Sequence, residues 1–516
     1  MHHHTRMGRF GVLLAAAGLA VSGLVALPGN AAEAHKPRPK PVACEHRNNN
    51  TYPKLLDCVS GAGTFEHLEA FQAIADEHGS RAEGTPGYLA SVDYVIEVLE
   101  DAGWDAEAVP FSYEGTDSVV QQLTPVPADF GHYVAEGSGE GDVTASVSPV
   151  DLALDPPRDS TSGCEAEDFA GFTPGHIALV QRGTCAFGLK AENAEAAGAS
   201  AVLIMNQCNT PDRCGPLNPT LLPSVVTIPV AGLTFADGEL LAQPGSTARV
   251  MVDYVTKESV NVIGELRGKN RRNVVMAGAH LDSVEEGAGI NDNGSGSAGL
   301  LEVAQNLGNH KPQNTLRFAF WGAEEIGLVG STQWVADQPQ KELDKIALYL
   351  NFDMIGSPNY YLGVYDANES TFPAPDGVPI PEGSVAVERI FESFYTWADE
   401  PYDDSQFSGR SDYQAFIAND IPAGGLFTGA EGVKTDEQQE IWGGTAGDWF
   451  DPCYHQACDD LGNVDLHALD VNSDAVAFAV LTFAYSTQDV NGVPGKKVPG
   501  RFRIPDPAGP EGTFGP

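Results

Sequence analysis

The sequence predicts an α/β protein with a mixed central β-sheet flanked by helices and split by an inserted second domain. Three observations carry this. After about Val260, short continuous apolar runs recur at Asn273 to Ala279, Thr315 to Trp321, Ile346 to Phe352 and Ile421 to Phe427, as expected of strands buried on both faces. Helical stretches beginning near Gly294, Gly327 and Ser384 lie between them, which suits a sheet covered on both sides. From about Val126 to Asp253 the texture changes to Val, Ala, Gly and Pro, and this stretch holds four of the eight cysteines.

Taken in order, the chain opens on Arg6 and Arg9, an apolar run from Phe10 to Leu27, and small residues from Asn30 to Ala34. That pattern is an export signal over residues 1–34, with the mature chain starting near Ala32 to His35. No other stretch reads as long and apolar enough to span a bilayer, so no membrane association is expected after cleavage. Phe65 to His78 and Tyr88 to Ala102 have apolar residues at helical spacing, separated by the turn Gly84-Thr85-Pro86-Gly87, within a first part of the main domain at 44–125. The insert follows at 126–255 and contains an αβ unit from Gly188 to Met205, its two chain crossings expected close together in space. The main domain resumes over 256–487. The Pro/Gly-rich tail at 488–516, with Lys496 and Lys497, reads as extended or disordered.

A chain of 516 residues is too long for one ordinary core. Its 71 acidic and 29 basic residues give a formal net charge of -42, which repels phosphate backbones and anionic lipid and excludes nucleic acid as a partner. With 42% hydrophobic and 19% charged residues the composition is globular, and the acidity reads as solubility outside the cell. Eight cysteines in an exported chain imply disulfides, and their clustering suggests Cys44 with Cys58, Cys164 with Cys185, Cys208 with Cys214, and Cys453 with Cys458.

Five separated motifs carry the chemistry. They are Gly278-Ala279-His280-Leu281-Asp282-Ser283, Asn291-Asp292-Asn293-Gly294-Ser295-Gly296, Ala323-Glu324-Glu325, Asn351-Phe352-Asp353-Met354 and Cys453-Tyr454-His455-Gln456-Ala457-Cys458. Two imidazoles and three carboxylates suit a pair of Zn2+ ions with positions left open, and one carboxylate is spare. His280, Glu324, Glu325 and Asp353 sit where an inferred strand stops, and in such sheets chemistry collects at the carboxyl ends of strands.

In this order the five motifs resemble the co-catalytic di-zinc aminopeptidases secreted by bacteria, which share the zinc-exopeptidase, phosphorylase/hydrolase-like fold. The turn from Arg81 to Gly87 matches their Arg-x-x-Gly-Thr-Pro-Gly pattern. The segment from Gly175 to Cys185, followed by Ala194 to Ala199, resembles the protease-associated (PA) domain and assigns the insert, where His176 reads as a surface or packing histidine. The resemblance implies that His280 and Asp353 hold one zinc, that Glu325 and His455 hold the other, and that Asp292 bridges both. Asp282, two residues beyond His280, would accept the free ring N–H and orient the imidazole. Glu324 would be the general base that takes a proton from the attacking water and delivers it to the departing amine. Tyr454 matches a tyrosine whose hydroxyl stabilises the oxyanion. Arg410, in Gly409-Arg410-Ser411-Asp412, matches a contact to the substrate terminus, and Met354 and Phe427 match positions lining an apolar pocket for the first side chain.

The implied protein is a secreted, monomeric enzyme acting on peptide or protein N-termini with two Zn2+ per chain, favouring large apolar residues. A carboxypeptidase on the same scaffold would need cationic groups to clamp the substrate carboxylate, a glutaminyl cyclase would use one zinc, and a non-catalytic PA-containing binding ectodomain would have lost its ligands. Related secreted enzymes carry Ca2+ near Asp470 and Asp474, but two carboxylates are too few for Ca2+ and a helix-surface acidic pair is the simpler reading.

Overall fold

The computed structural model describes residues 44 and 47–514, so the expected export signal and mature N-terminus lie outside the described residues. After a single helical turn at Tyr52–Leu56 come two longer capped helices. The Ser60 hydroxyl accepts the N–H of Gly63 at the start of Gly61–His78 (α1), and the Thr85 hydroxyl accepts that of Tyr88 at the start of Pro86–Asp101 (α2), whose first residue is proline. The caps explain why both helices begin before the apolar spacing does.

Asp105–Thr124 (β1) is a 20-residue strand leading into the insert. There Gly141–Pro149 (β2), Ile177–Gln181 (β3), Ala201–Met205 (β4) and Val230–Leu233 (β5) pair in parallel in that order, with Phe187–Ala196 (α3) crossing between β3 and β4. Thr247–Leu266 (β6) returns antiparallel to β1, from Thr247 opposite Thr124 to Glu265 opposite Asp105. The chain crossings of the insert are thus two strands hydrogen-bonded to each other along their length.

The main sheet is built from Asn270–His280 (β7), Asn314–Trp321 (β8), Ile346–Phe352 (β9), Gly363–Tyr365 (β10), Asp403–Ser405 (β11) and Ala423–Phe427 (β12), in the order β11-β10-β12-β9-β7-β8-β6. Strands β12, β9, β7 and β8 are parallel, while β6 and β10 pair antiparallel at either side, which makes the sheet mixed. Helices Gly296–Leu307 (α4), Val329–Asp337 (α5), Ser384–Ala398 (α6) and Leu466–Tyr485 (α7) complete the layers. Alternation along β7 sorts its side chains. Val275, Ala277 and Ala279 join the core made with α1, α2, α4, α6 and α7, whereas Met276 joins Trp321, Trp334, Tyr349 and Phe416 on the opposite face.

One expectation needs correction. Leu466–Tyr485 is, by length and composition, apolar enough to cross a membrane, yet it is a core helix, with Val476, Phe478 and Leu481 fully buried among the other helices. The tail is extended and ordered on the surface. Val498, Phe502, Ile504 and Phe514 pack against the main core, and the N–H groups of Gly512 and Thr513 donate to Asp403 at 3.2 and 2.9 Å. The four expected disulfide pairings are those formed.

Candidate metal centre

Parallel strand ends bring the motif residues together. His280 is the last residue of β7 and stands in register with Trp321, the last of β8, so the turn after β8 delivers Glu324 and Glu325 beside it. Strand β9 ends at Phe352, one residue before Asp353. Three non-glycine residues here hold left-handed backbone: Ala323 (φ 59°), Met354 (φ 53°) and His455 (φ 55°). Each such residue costs about 1–3 kcal/mol and persists where the surroundings fix it, typically at a functional site.

Asp292 is the hub. Its Oδ1 lies 3.2 Å from Nε2 of His280, and its Oδ2 lies 3.3 Å from Nε2 of His455. On the first side Asp353 Oδ1 is 3.4 Å and Glu324 Oε2 3.9 Å from the same His280 nitrogen. On the second, Glu325 Oε2 is 3.0 Å from His455 Nε2. Glu325 Oε1 and Asp353 Oδ1 are buried and have no hydrogen-bond partner, so their lone pairs are free for a ligand. This set of imidazole nitrogens and carboxylate oxygens, with orphaned acceptors facing inward, fits Zn2+.

The groups that hold these side chains mostly had no role assigned to them from sequence. The Asp282 backbone carbonyl, not its carboxylate, accepts from His280 Nδ1 at 3.0 Å; the carboxylate is 3.7 Å from that nitrogen and instead accepts the N–H groups of Glu324 and Glu325 at 3.2 and 3.3 Å. Asp282 therefore positions the Glu-Glu turn as well as the imidazole. Asp459 accepts the N–H groups of Asn291 and Asp292 at 2.8 and 3.0 Å, and Asn293 ties that loop to the end of β9 through Phe352 O and the N–H of Met354. Ser411 donates to Asp353 Oδ2 at 2.5 Å, leaving Oδ1 turned to His280. Arg81 is fully buried and donates to the carbonyls of Leu281, Ala288 and Gly289. Of these residues only Asp459 lay outside the quoted motifs, and it acts on backbone N–H groups, which leave no spacing pattern.

The electrostatics follow from burying this many acids. Burial pushes Glu325 up to about 7, with Asp292 adding to it, and raises Glu324 well above its ordinary value. Burial opposes the charge on His455, but hydrogen bonds to Asp292 and Glu325 outweigh it and hold the imidazole up at about 10. Asp292 is pulled down despite burial, because both histidines face it. Without metal, protons on the imidazoles take the place of the cations.

A pocket of about 360 Å3 opens over the centre, lined by Glu324, Asp353, Met354, Phe427, Arg410 and Tyr454 among others. Met354 is buried and Phe427 half-buried, so both offer apolar surface. The Tyr454 ring stacks on His455 with centroids 3.9 Å apart, and its hydroxyl accepts from Arg410 at 3.4 Å. Arg410 is also ion-paired with Glu431 at 2.6 Å. Asp470 accepts the N–H of Gly61 at 2.6 Å, a helix-start contact, and neither it nor Asp474 joins a metal-sized cluster among the described residues. His176 lies 2.8 Å from the Ser148 hydroxyl in the insert, a packing contact.

Residues 261–480 match peptidase family M28, and residues 143–241 match the PA domain. An aminopeptidase of Pseudomonas aeruginosa is 46% identical over 470 residues, covering 88% of this chain and 87% of that protein. A probable leucine aminopeptidase 2 of Aspergillus fumigatus is 39% identical over 444 residues, covering 84% and 85%. Among solved structures, BSAP, a zinc aminopeptidase from Bacillus subtilis, aligns with a TM-score of 0.61 at 26% identity, covering 81% of this chain and 94% of that one.

Proposed function

The chain belongs to peptidase family M28 and is a zinc aminopeptidase with a PA domain, and from that premise we propose an exported enzyme that holds two Zn2+ and removes large apolar residues from peptide N-termini. The single observation that carries the two-metal reading is Asp292, whose two oxygens reach toward two different imidazoles. His280 and Asp353 would hold one ion and Glu325 and His455 the other, with Asp292 available to each. When bound, such ions polarise the scissile carbonyl and make water a nucleophile at neutral pH.

The chain's own residues do the rest. Glu324, the carboxylate left over, accepts the proton of the attacking water and passes it to the leaving amine, and its burial keeps it basic enough to do so. Tyr454 offers its hydroxyl to the oxyanion, steadied by Arg410 and by the stack on His455. Glu324 and Asp353 give negative charge for the substrate's free ammonium, while Met354 and Phe427 receive its first side chain. Among the described residues that line the pocket, Arg410 is the one arginine or lysine, and Glu431 already pairs it, so a clamp for a substrate carboxylate has little support. The four disulfides support export, and the paired strands β1 and β6 support an insert at 126–255 between catalytic parts at 44–125 and 256–487.

The test is hydrolysis of Leu-p-nitroanilide against its N-acetylated form, with chelator, zinc add-back and the Glu324→Ala variant. Zinc-dependent release from the free-amine substrate alone, lost in the variant, is expected. Release from the acetylated substrate, or full activity in the variant, would overturn the reading.

A further inference from the structure

Behind the pocket wall three more carboxylates meet. Asp366 directly follows β10, Asp404 is the middle residue of β11, and Glu388 lies on α6. One oxygen from each lies within 4.8 Å of the others, and all three residues are buried, at 1%, 0% and 1% exposure. Strand alternation explains the placement. Tyr365 and Ser405 are paired in register and line the pocket, so their neighbours Val364 and Asp404 turn the other way, where Val364 packs in the core with Val387 and Phe391 of α6.

Hydrogen-bond donors meet every oxygen of these three acids except one. Asp366 accepts the N–H groups of Ser370, Thr371 and Phe372 at 3.0, 2.9 and 2.7 Å. Glu388 accepts the backbone N–H and the side-chain amide of Asn368. Asp404 Oδ2 accepts the hydroxyls of Ser370 and Thr371 at 3.0 and 2.5 Å, but its Oδ1 is sealed from solvent with no hydrogen-bond partner at all. Arg389, beside Glu388 on α6, turns away to Asp506, and among the described residues no lysine or arginine forms an ion pair with any of the three. Burial, with Glu392, Asp366 and Asp404 adding to it, pushes Glu388 up to about 8, and burial raises Asp404 too. Buried charges persist only when paired, so this group lacks a counter-ion.

We propose that Asp366, Glu388 and Asp404 form a cation site distinct from the zinc residues, taking a hard divalent ion, Ca2+ in preference to others. The donors are all oxygens, with no imidazole or thiolate to favour zinc. Three carboxylates supply up to six oxygens without demanding the tight octahedron of Mg2+. The ion fastens α6 to β11 and to the 366–372 loop, whose last residue, Phe372, lines the pocket together with Ser405. It thereby stiffens the wall that receives the substrate side chain.

The experiment uses the full-length protein with zinc restored after passage over a calcium-chelating resin. Bound calcium is measured by equilibrium dialysis and metal analysis, and Tm is followed as CaCl2 is added. One Ca2+ per chain is expected, with a rise in Tm on the order of 3 °C at saturation. Asp404→Asn and, separately, Glu388→Gln are expected to lose both responses while keeping wild-type zinc content. Wild-type protein that retains no calcium, or an Asp404→Asn variant that binds it as wild type does, overturns the site. A Tm raised by Asp404→Asn with no calcium response in the wild type would mean that shared protons hold the cluster, which also overturns it. Equal binding of Mg2+ at the same concentration overturns the preference for Ca2+.

Discussion

The strand-end centre and the cluster behind the pocket wall both gather carboxylates away from solvent, the cluster more completely, and they differ by two imidazoles. In the centre, His280 and His455 face Asp292 from both sides and pull its pKa down, so the site is internally compensated before any metal arrives. In the cluster, Asp366, Glu388 and Asp404 have neutral hydrogen-bond donors but, among the described residues, no imidazole facing them, and Glu388 is driven up instead. The difference shows that the count of acids does not decide which ion a site suits. The nitrogen donors do, together with the acceptors left unpartnered: Asp353 Oδ1 and Glu325 Oε1 in one region, Asp404 Oδ1 in the other.

Separating the two regions by mutation gives the largest expected effect. Asp292→Ala should release zinc and abolish turnover, yet leave the calcium-induced rise in Tm intact; Asp404→Asn should do the reverse. Metal analysis of the two variants side by side checks this, and joint loss of both ions in either one would break the comparison. Next in size, Glu324→Gln should lower kcat by ~100- to 10,000-fold with both ions retained, because it removes proton transfer and no ligand. Steady-state kinetics paired with zinc content decides that point.

A smaller effect sharpens the contrast in pH response. Glu388 is raised from 4.5 to about 8, so in calcium-free protein its contribution to stability is present in full below 4.5 and is lost as pH rises through about 8. The rise in Tm on adding calcium, with zinc held constant, should therefore be greater at pH 8 than at pH 5. A response independent of pH would detach the ion from Glu388. The smallest effect belongs to the pocket: Phe427→Ala should reduce the preference for Leu over Ala at the first position by about tenfold, mostly in kcat/KM.

The two regions were also unequally legible in sequence. Strands β7, β8 and β9 were readable because runs such as Ile346 to Phe352 are continuous and apolar, and the motif residues sit at their ends. The cluster was silent. Asp366, Glu388 and Asp404 come from three segments with no histidine among them, and in a chain with 71 acidic residues such spacing carries no signal. Asp459 escaped for another reason, since it holds the Asp292 loop through the N–H groups of Asn291 and Asp292. The proline and glycine content of the tail made its extended course legible, while its sparse apolar residues, Val498, Phe502, Ile504 and Phe514, are what seat it. Leu466–Tyr485 looked unexceptional beside the N-terminal run because its alanines lower its apolar character without making a polar face.

The long ladder between β1 and β6 sets what the insert can do mechanically. A domain hung on two loose linkers swings freely, but one carried on a 20-residue hydrogen-bonded ribbon moves as a lever, by twist or bend of the ribbon itself. The catalytic end of that lever is β6, which is laced to β8 from Leu266 opposite Leu316 to Val262 opposite Phe320, and β8 runs directly into Gly322, Ala323 and Glu324. The insert is thus joined by continuous backbone hydrogen bonding to the strand that leads into the Glu324 turn.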